Sequence, residues 1–263
     1  MAQCEEGSDD VEVLTGGGVN EVVRVGRTVR RPTGPHTPRV HDLLRRLEPL
    51  AGVPRVHGLA TTPDGEREVL DFLPGTVPGG LVGDAASGTA LLSAAEFLRG
   101  FHDATAPFAA ELPRDGWMFP AGDPVEVVVH GDYAPYNCVL VDDRVAGLVD
   151  FDTARPGPRI VDVATGAYRW APLSGVAEQS PAEQARRLVT FCAAYGLDAA
   201  ARAGLLDAVG AELHRLVAFL RAQAAAGSAA FAAHVADGHD LHYLADAEHV
   251  QVHRPLFQDA LDA

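Results

Sequence analysis

Residues 125–159 read VEVVVHGDYAPYNCVLVDDRVAGLVDFDTARPGPR, and they decide the fold. The run 125–129 is apolar enough for a buried strand. The runs 139–141 and 145–149 flank Asp142-Asp143-Arg144, which predicts a hairpin. His130, Gly131 and Asp132 open the loop before that hairpin, and Asn137 closes it. Asp150 and Asp152 follow its second arm. A hairpin between Asn137 and Asp150 would bring the two together, so that two hard oxygen ligands and a third carboxylate, Asp152, converge on one point.

Such a donor set suits Mg2+, which binds through one or two protein oxygens and takes phosphate and water oxygens for the rest of its octahedron. The spacing H-x-D-x4-N, followed after a hairpin by D-F-x, is that of kinase catalytic loops. In that template the first Asp takes or orients the proton of the attacking hydroxyl. The Asn and the later Asp hold the metal. Singly, Asp132 and Asn137 read as turn residues; jointly they argue for chemistry. His130 reads as a structural group bonded to backbone, and Asp162 as a helix cap or a tie for the loop. Asp142 and Asp143 read as a solvated turn.

Upstream, Val11 and Val13 alternate with polar residues, and Gly16-Gly17-Gly18 follows. The runs 22–25 and 28–31, split by Gly26-Arg27, predict an antiparallel meander ended by Pro32. Backbone N–H groups of such a glycine loop can nest an anion. Val40, Leu43, Leu44 and Leu47 recur at helical spacing and predict a helix over 39–50, with Thr37 as N-cap and Pro38 in its first turn. Residues 54–75 predict two strands around an Asp64-Gly65 turn. The Pro- and Gly-rich stretch 73–80 marks a lobe boundary. The predicted division is a frayed tail at 1–10, a small lobe at 11–74, and a larger lobe at 75–263. The larger lobe is mainly helical, with helices over 91–102, 160–170, 181–195 and 199–226 and further pieces to the end.

The chain has 263 residues and a formal net charge of −15, and it contains no lysine. Nucleic-acid and anionic-membrane partners need basic clusters, and this acidic balance disfavours both. No apolar run is long enough for a membrane span. The acidic N-terminus lacks the apolar core of a signal peptide, so the expected location is the cytoplasm. Cys4, Cys138 and Cys192 are too scattered for a disulfide framework or a zinc site. The C-terminal histidines His214, His234, His239, His242, His249 and His253 match no tight ligand spacing.

HGDYAPYN (130–137) together with LVDFDTARPGPR (148–159) resembles the aminoglycoside phosphotransferases, which include choline-kinase-like and homoserine-kinase-like relatives. The likeness extends to LTGGGVNEVVRVGRTVRRP (14–32), Asp162 and YGLD (195–198). It implies an α+β, protein-kinase-like two-lobed fold: a small antiparallel β lobe with one helix, and a larger, mainly helical lobe. It further implies transfer of the γ-phosphate of ATP or GTP to a hydroxyl of a small molecule, an aminoglycoside-type antibiotic or a metabolite alcohol. Asp132 would be the base, and Asn137 and Asp150 the Mg2+ ligands. Asp152 would serve a second metal or the local hydrogen-bond network. Gly16, Gly17, Gly18 and Asn20 would cover the phosphates.

Two departures stand out. With no lysine available, Arg30 or Arg31 must replace the third-strand lysine, and strand alternation lets only one of them face the nucleotide. The helix glutamate that should hold that cation is missing: Val40 falls at its place, Asp42 is the nearest carboxylate, and Glu48 lies at the far end. The missing glutamate motivates an alternative, a degenerate kinase-like module that binds nucleotide without transfer. A protein acceptor is disfavoured, because 152–172 lacks an activation segment ending in APE. Asp198, Asp207, Glu212, Asp237, Asp240, Asp246 and Glu248 could greet a polyamine or simply solvate helix faces.

Overall fold

A computed structural model describes residues 11–14, 22–63 and 65–263. The tail 1–10, the glycine segment with Gly16, Gly17, Gly18 and Asn20, and Asp64 lie outside the described residues.

Strands β1 (Val11–Leu14), β2 (Val22–Val25) and β3 (Thr28–Pro32) form the expected antiparallel meander. Helix α1 (Thr37–Arg46) follows, then β4 (Val56–Thr62) and β5 (Gly65–Asp71). The five strands run in the order β1-β2-β3-β5-β4. Because β5 inserts beside β3, Arg31 lies directly opposite Glu68. This register matters for the site.

Helix α1 is shorter than its periodicity predicts, ending at Arg46 rather than at 50. Its first turn also departs from the expectation: Thr37 lies inside the helix, and its Oγ1 accepts the Gly34 N–H at 2.8 Å. Val40, Leu43, Leu44 and Leu47 are buried, so the apolar stripe faces the core as expected.

The larger lobe opens with α2 (Gly88–Thr105), whose N-terminus is capped by Ser87 accepting the Ala90 N–H. Next come β6 (Val127–Val129), β7 (Cys138–Val141), β8 (Arg144–Leu148) and β9 (Arg155–Gly157). The β7–β8 turn is Asp142-Asp143, with φ of 48° and 56°. Both central residues of a tight two-residue hairpin turn take positive φ, and Asp tolerates it. Strand β9 pairs with β6 and went unread in the sequence because it carries Pro156, which weakens a strand signal.

Helices α3 (Ile160–Trp170), α4 (Pro181–Tyr195), α5 (Ala199–Ala225), α6 (Ala229–Ala236), α7 (His239–Val252) and α8 (Arg254–Asp262) complete the chain. Gly196, at φ 77°, ends α4 in the left-handed conformation that glycine adopts without strain. The core runs from Leu98 and Phe101 of α2, through Leu148 and Phe151, to Trp170 and Phe191. Helix α1 touches the turn 151–153, so the small lobe bears directly on the segment holding Asp150 and Asp152. Among the described residues no helix is long and apolar enough to cross a membrane. Cys138 and Cys192 are free and buried, and burial pushes both thiols up to about 12.

Candidate active site

The hairpin brings the polar loop and the acidic turn together. Cys138 pairs with Leu148, and the ladder extends one step further through Val149 N–H donating to the Asn137 carbonyl at 2.9 Å. Asp150 is therefore the residue next to Asn137's backbone partner. Its φ of 64° turns the chain sharply at the end of β8 into the short turn 151–153. A non-glycine residue in this conformation carries local strain of order 1 kcal/mol, and such positions cluster at functional sites.

The 130–137 loop is held from below. Asp162, fully buried on α3, accepts the backbone N–H of His130 at 2.5 Å and of Gly131 at 2.7 Å. His102 of α2 reaches the same carboxylate at 3.1 Å, and its other ring nitrogen meets the Tyr195 hydroxyl at 2.7 Å. Burial would raise the Asp162 pKa, but the His102 hydrogen bond, nearby charge and the Gly131 N–H bring it below the usual carboxylate range. Burial lowers His102, so the imidazole is held neutral despite its carboxylate neighbour. Of the two roles expected for Asp162, tying down the loop is the one its contacts serve. His130 bonds backbone through Nε2, at 3.0 Å from the Val149 carbonyl.

Gly131 sits at φ 83°, and a Cβ there would lie 2.7 Å from both the Thr153 carbonyl and the Arg155 guanidinium. The close approach locks the 130–132 segment against the acidic turn, as does Thr153 Oγ1 donating to the His130 carbonyl at 2.7 Å. Asp132 at the loop tip is gripped on both carboxylate oxygens. The Tyr136 hydroxyl donates to Oδ1 at 2.7 Å, and the Asn137 amide donates to Oδ2 at 2.9 Å. Burial and the Asp132 charge raise the Tyr136 pKa, so its proton stays in place as a donor. Asn137 Nδ2 is spent on Asp132, which leaves Oδ1 as its side-chain oxygen for a cation.

Of Arg30 and Arg31, Arg31 is the one that reaches the acidic turn, and each arm of its guanidinium finds a separate carboxylate. Nε donates to Glu68 at 2.5 Å, Nη1 to Asp150 at 2.7 Å and Nη2 to Asp152 at 2.5 Å. Arg30 points to the other face of β3, and its Nε is buried without a partner. Burial opposes the Arg31 charge, but Asp150, Asp152 and Glu68 outweigh it and raise the pKa further.

The carboxylate missing from the helix comes from the sheet. Glu68 is 1% exposed on β5, opposite Arg31 in register, and its second oxygen meets His41 Nε2 of α1 at 2.7 Å. A histidine thus stands on the helix and the acid on the strand. Asp42, the nearest helix carboxylate by sequence, pairs instead with Arg45 on the surface. Sequence reasoning looked along the helix and missed Glu68, whose signal lay in the β3–β5 register.

Asp150 keeps 50% of its side-chain surface open to the cleft. The cleft is deep enough that desolvation still raises its pKa, with Arg31 opposing and Asp152 reinforcing the rise. For Asp152, burial is overcome by the hydrogen bond and charge of His36 and by Arg31, which lower it. His36 Nε2 lies 3.3 Å from the same oxygen that Arg31 engages. Among the described residues no group of three or more His, Cys, Asp or Glu is arranged to hold a metal. A cation here would be held by fewer protein oxygens, the arrangement Mg2+ adopts beside phosphates.

Asp132, Asp150 and Asp152 line one cavity of about 410 Å³ that extends between α3, α5, α6 and α7. Of the acidic residues expected to greet a polyamine or face solvent, only Glu212 lines it. Asp198 caps α5, while Asp207 and Asp240 pair with Arg254 and Arg221. Asp246 is buried against the Tyr168 hydroxyl. His234 and His239 stack on each other, while His249 and His253 pack as a tilted pair with ring centroids 4.6 Å apart.

The arrangement is a polar loop, an acidic turn and a strand cation in one cleft. Comparisons with known proteins place the chain in a family. A trifolitoxin immunity protein of Rhizobium leguminosarum bv. trifolii is 32% identical over 212 residues, covering 76% of this chain and 79% of that protein. An amicoumacin kinase solved with AMP-PNP and Ca2+ superposes with a TM-score of 0.64 at 16% identity, over 86% of each chain. An aminoglycoside phosphotransferase of Alicyclobacillus acidocaldarius gives 0.59 at 16% identity, over 97% of this chain and 92% of that one. A macrolide 2'-phosphotransferase of Brachybacterium faecium gives 0.54 at 18%, over 94% and 93%. At these identities the solved structures attest the shared α+β, kinase-like fold. The model of the phosphotransferase enzyme family, APH, matches residues 3–123 and 115–205. The chain belongs to the APH phosphotransferase enzyme family.

Proposed function

We propose that this protein moves the γ-phosphate of ATP or GTP to a hydroxyl of a small molecule. The observation carrying this reading is the convergence of Asp132, Asn137, Asp150 and Arg31 in one cleft. Asp132 takes the proton of the acceptor hydroxyl. Tyr136 and Asn137 hold its carboxylate in position for that task. Asn137 and Asp150 supply the protein oxygens for Mg2+, which when bound would neutralise phosphate charge. Arg31 reaches the phosphates, and Asp152, engaged by Arg31 and His36, serves the network around them. The similarity to a trifolitoxin immunity protein supports a protective role, with a toxic compound as acceptor.

The degenerate-module alternative rested on a missing acidic partner. The Arg31–Glu68 pair offers an acidic partner from the sheet, which supports transfer over that alternative. Thermal unfolding with ATP or GTP, each with Mg2+ and with chelator, tests the reading. A nucleotide at about 100 times its Kd should stabilise by about 2.7 kcal/mol. The shift is expected only with Mg2+. No shift with either nucleotide at concentrations well above millimolar would sink the reading.

A further inference from the structure

The cavity beyond the catalytic loop has an unusual balance of charge. Its walls are apolar and aromatic, built from Met118, Phe119, Leu213, Leu216, Phe219 and Phe231. Phe219 packs against Phe119 at 4.6 Å and Phe231 at 5.2 Å. Outside Asp132, Asp150 and Asp152, the only carboxylate lining it among the described residues is Glu212, which Arg215 neutralises at 2.7 Å.

Arg169 of α3 has no such neutralising partner. Its guanidinium lies over the rings of Tyr168, Tyr136 and Tyr243 at 4.8, 5.4 and 5.4 Å, and Nη2 donates to the Tyr243 hydroxyl at 3.2 Å. Among the described residues no carboxylate reaches ion-pair distance of it, and its Nε is buried without a hydrogen-bond partner. The tyrosine rings hold the side chain in place, and the Asp132 charge acts on it without forming an ion pair. Tyr136 also bonds Asp132, so the Arg169 guanidinium and the proposed base flank one ring.

Away from Asp132, Asp150 and Asp152, a polycationic acceptor would set amines against this guanidinium, with only a neutralised Glu212 among the described lining residues to greet them. An acceptor with an apolar body and one carboxylate meets every wall: rings against rings, and a planar acid against the planar fork of arginine. Resting on the phosphotransferase reading above, we propose that the acceptor is an amphipathic hydroxy acid, its carboxylate read by Arg169 and its hydroxyl presented to Asp132. In the step, the acceptor O–H bond breaks and its proton passes to the Asp132 carboxylate. The acceptor oxygen bonds the γ-phosphorus, and the bond from that phosphorus to the β–γ bridging oxygen breaks. The products are a phosphate ester and the nucleoside diphosphate.

The test measures diphosphate release by the full chain with Mg2+ and nucleotide, using a matched series. The probes are 4-(hydroxymethyl)phenylacetate, its primary amide, the corresponding aryl-ethylamine alcohol, and kanamycin. The acid should exceed its amide by at least tenfold in kcat/KM. Arg169→Gln should erase that advantage, and Arg169→Lys should restore part of it. Both variants must keep the Mg2+-dependent nucleotide shift in Tm, which certifies the fold. Equal rates for acid and amide, preference for either amine, or no turnover of the acid while nucleotide still binds would overturn the acceptor class alone. Absence of any nucleotide shift in the wild type would instead bring down the phosphotransferase reading, and this inference with it.

Discussion

The Asp162 carboxylate accepts the Gly131 backbone N–H at 2.7 Å from a fully buried position on α3, thirty-one residues away in the chain. With the His130 N–H it holds the loop that carries Asp132. Asp162→Ala should cost about 3–5 kcal/mol, the usual loss when a buried charged group is removed from its partners. Denaturant unfolding measures it. A loss below about 1 kcal/mol would show that the loop is held by other means.

Gly131→Ala tests the close approach directly. A methyl group there meets backbone of Thr153 at 2.7 Å, and the φ of 83° is strained for any L residue. The acidic turn must shift, so turnover should fall at least tenfold while the folded state survives. A variant with wild-type kcat/KM would refute the packing argument.

The buried imidazole of His102 makes stability depend on pH. Its folded pKa lies below the ordinary 6.5, so the unfolded chain binds the proton more readily. Stability from this group is full above pH 6.5 and falls as pH drops toward the folded pKa, by up to about 1.4 kcal/mol per pH unit. Asp162, also lowered, adds a further loss in stronger acid. Urea midpoints between pH 5 and 8 should slope more steeply for the wild type than for His102→Gln. Parallel curves would show that His102 is not the group responsible.

Arg31→Lys replaces a fork that reaches three carboxylates with a single ammonium. Lysine cannot serve Glu68, Asp150 and Asp152 along three directions at once. We expect kcat/KM for nucleotide to fall by about tenfold or more, equivalent to about 1.4 kcal/mol, with a lower Tm. Glu68→Gln should weaken the same grip and raise the nucleotide KM. Unchanged kinetics in both variants would remove Arg31 from the phosphate site.

Asp132→Ala and Asp150→Ala separate chemistry from binding. Loss of Asp132 should abolish turnover and leave the Mg2+-dependent nucleotide shift in place. Loss of Asp150 should abolish the shift itself. Retained turnover in the first variant, or unchanged Mg·ATP affinity in the second, would refute the corresponding role.

Much of this protein was legible in one dimension. The 125–159 segment encodes a strand, a loop and a hairpin by local patterning, because burial alternation and turn preference act over a few residues. That patterning was enough to bring Asn137 and Asp150 together, since the hairpin is itself local. The boundaries of α1 and the strand at 155–157 were not legible, the first because helix ends fray into context and the second because Pro156 masks it.

Tertiary structure decided the rest. Which of Arg30 and Arg31 faces the acidic turn follows from the pleat of β3 against β5, a pairing between segments far apart in sequence. That Glu68 supplies the carboxylate the helix lacks follows from the same register. The setting of Arg169 emerges only when α3, α7 and the 130–137 loop place three tyrosine rings around it. Residue type and spacing determined what chemistry this chain carries. Long-range packing determined which side chains meet, because electrostatic partners are chosen by distance in space and not along the chain.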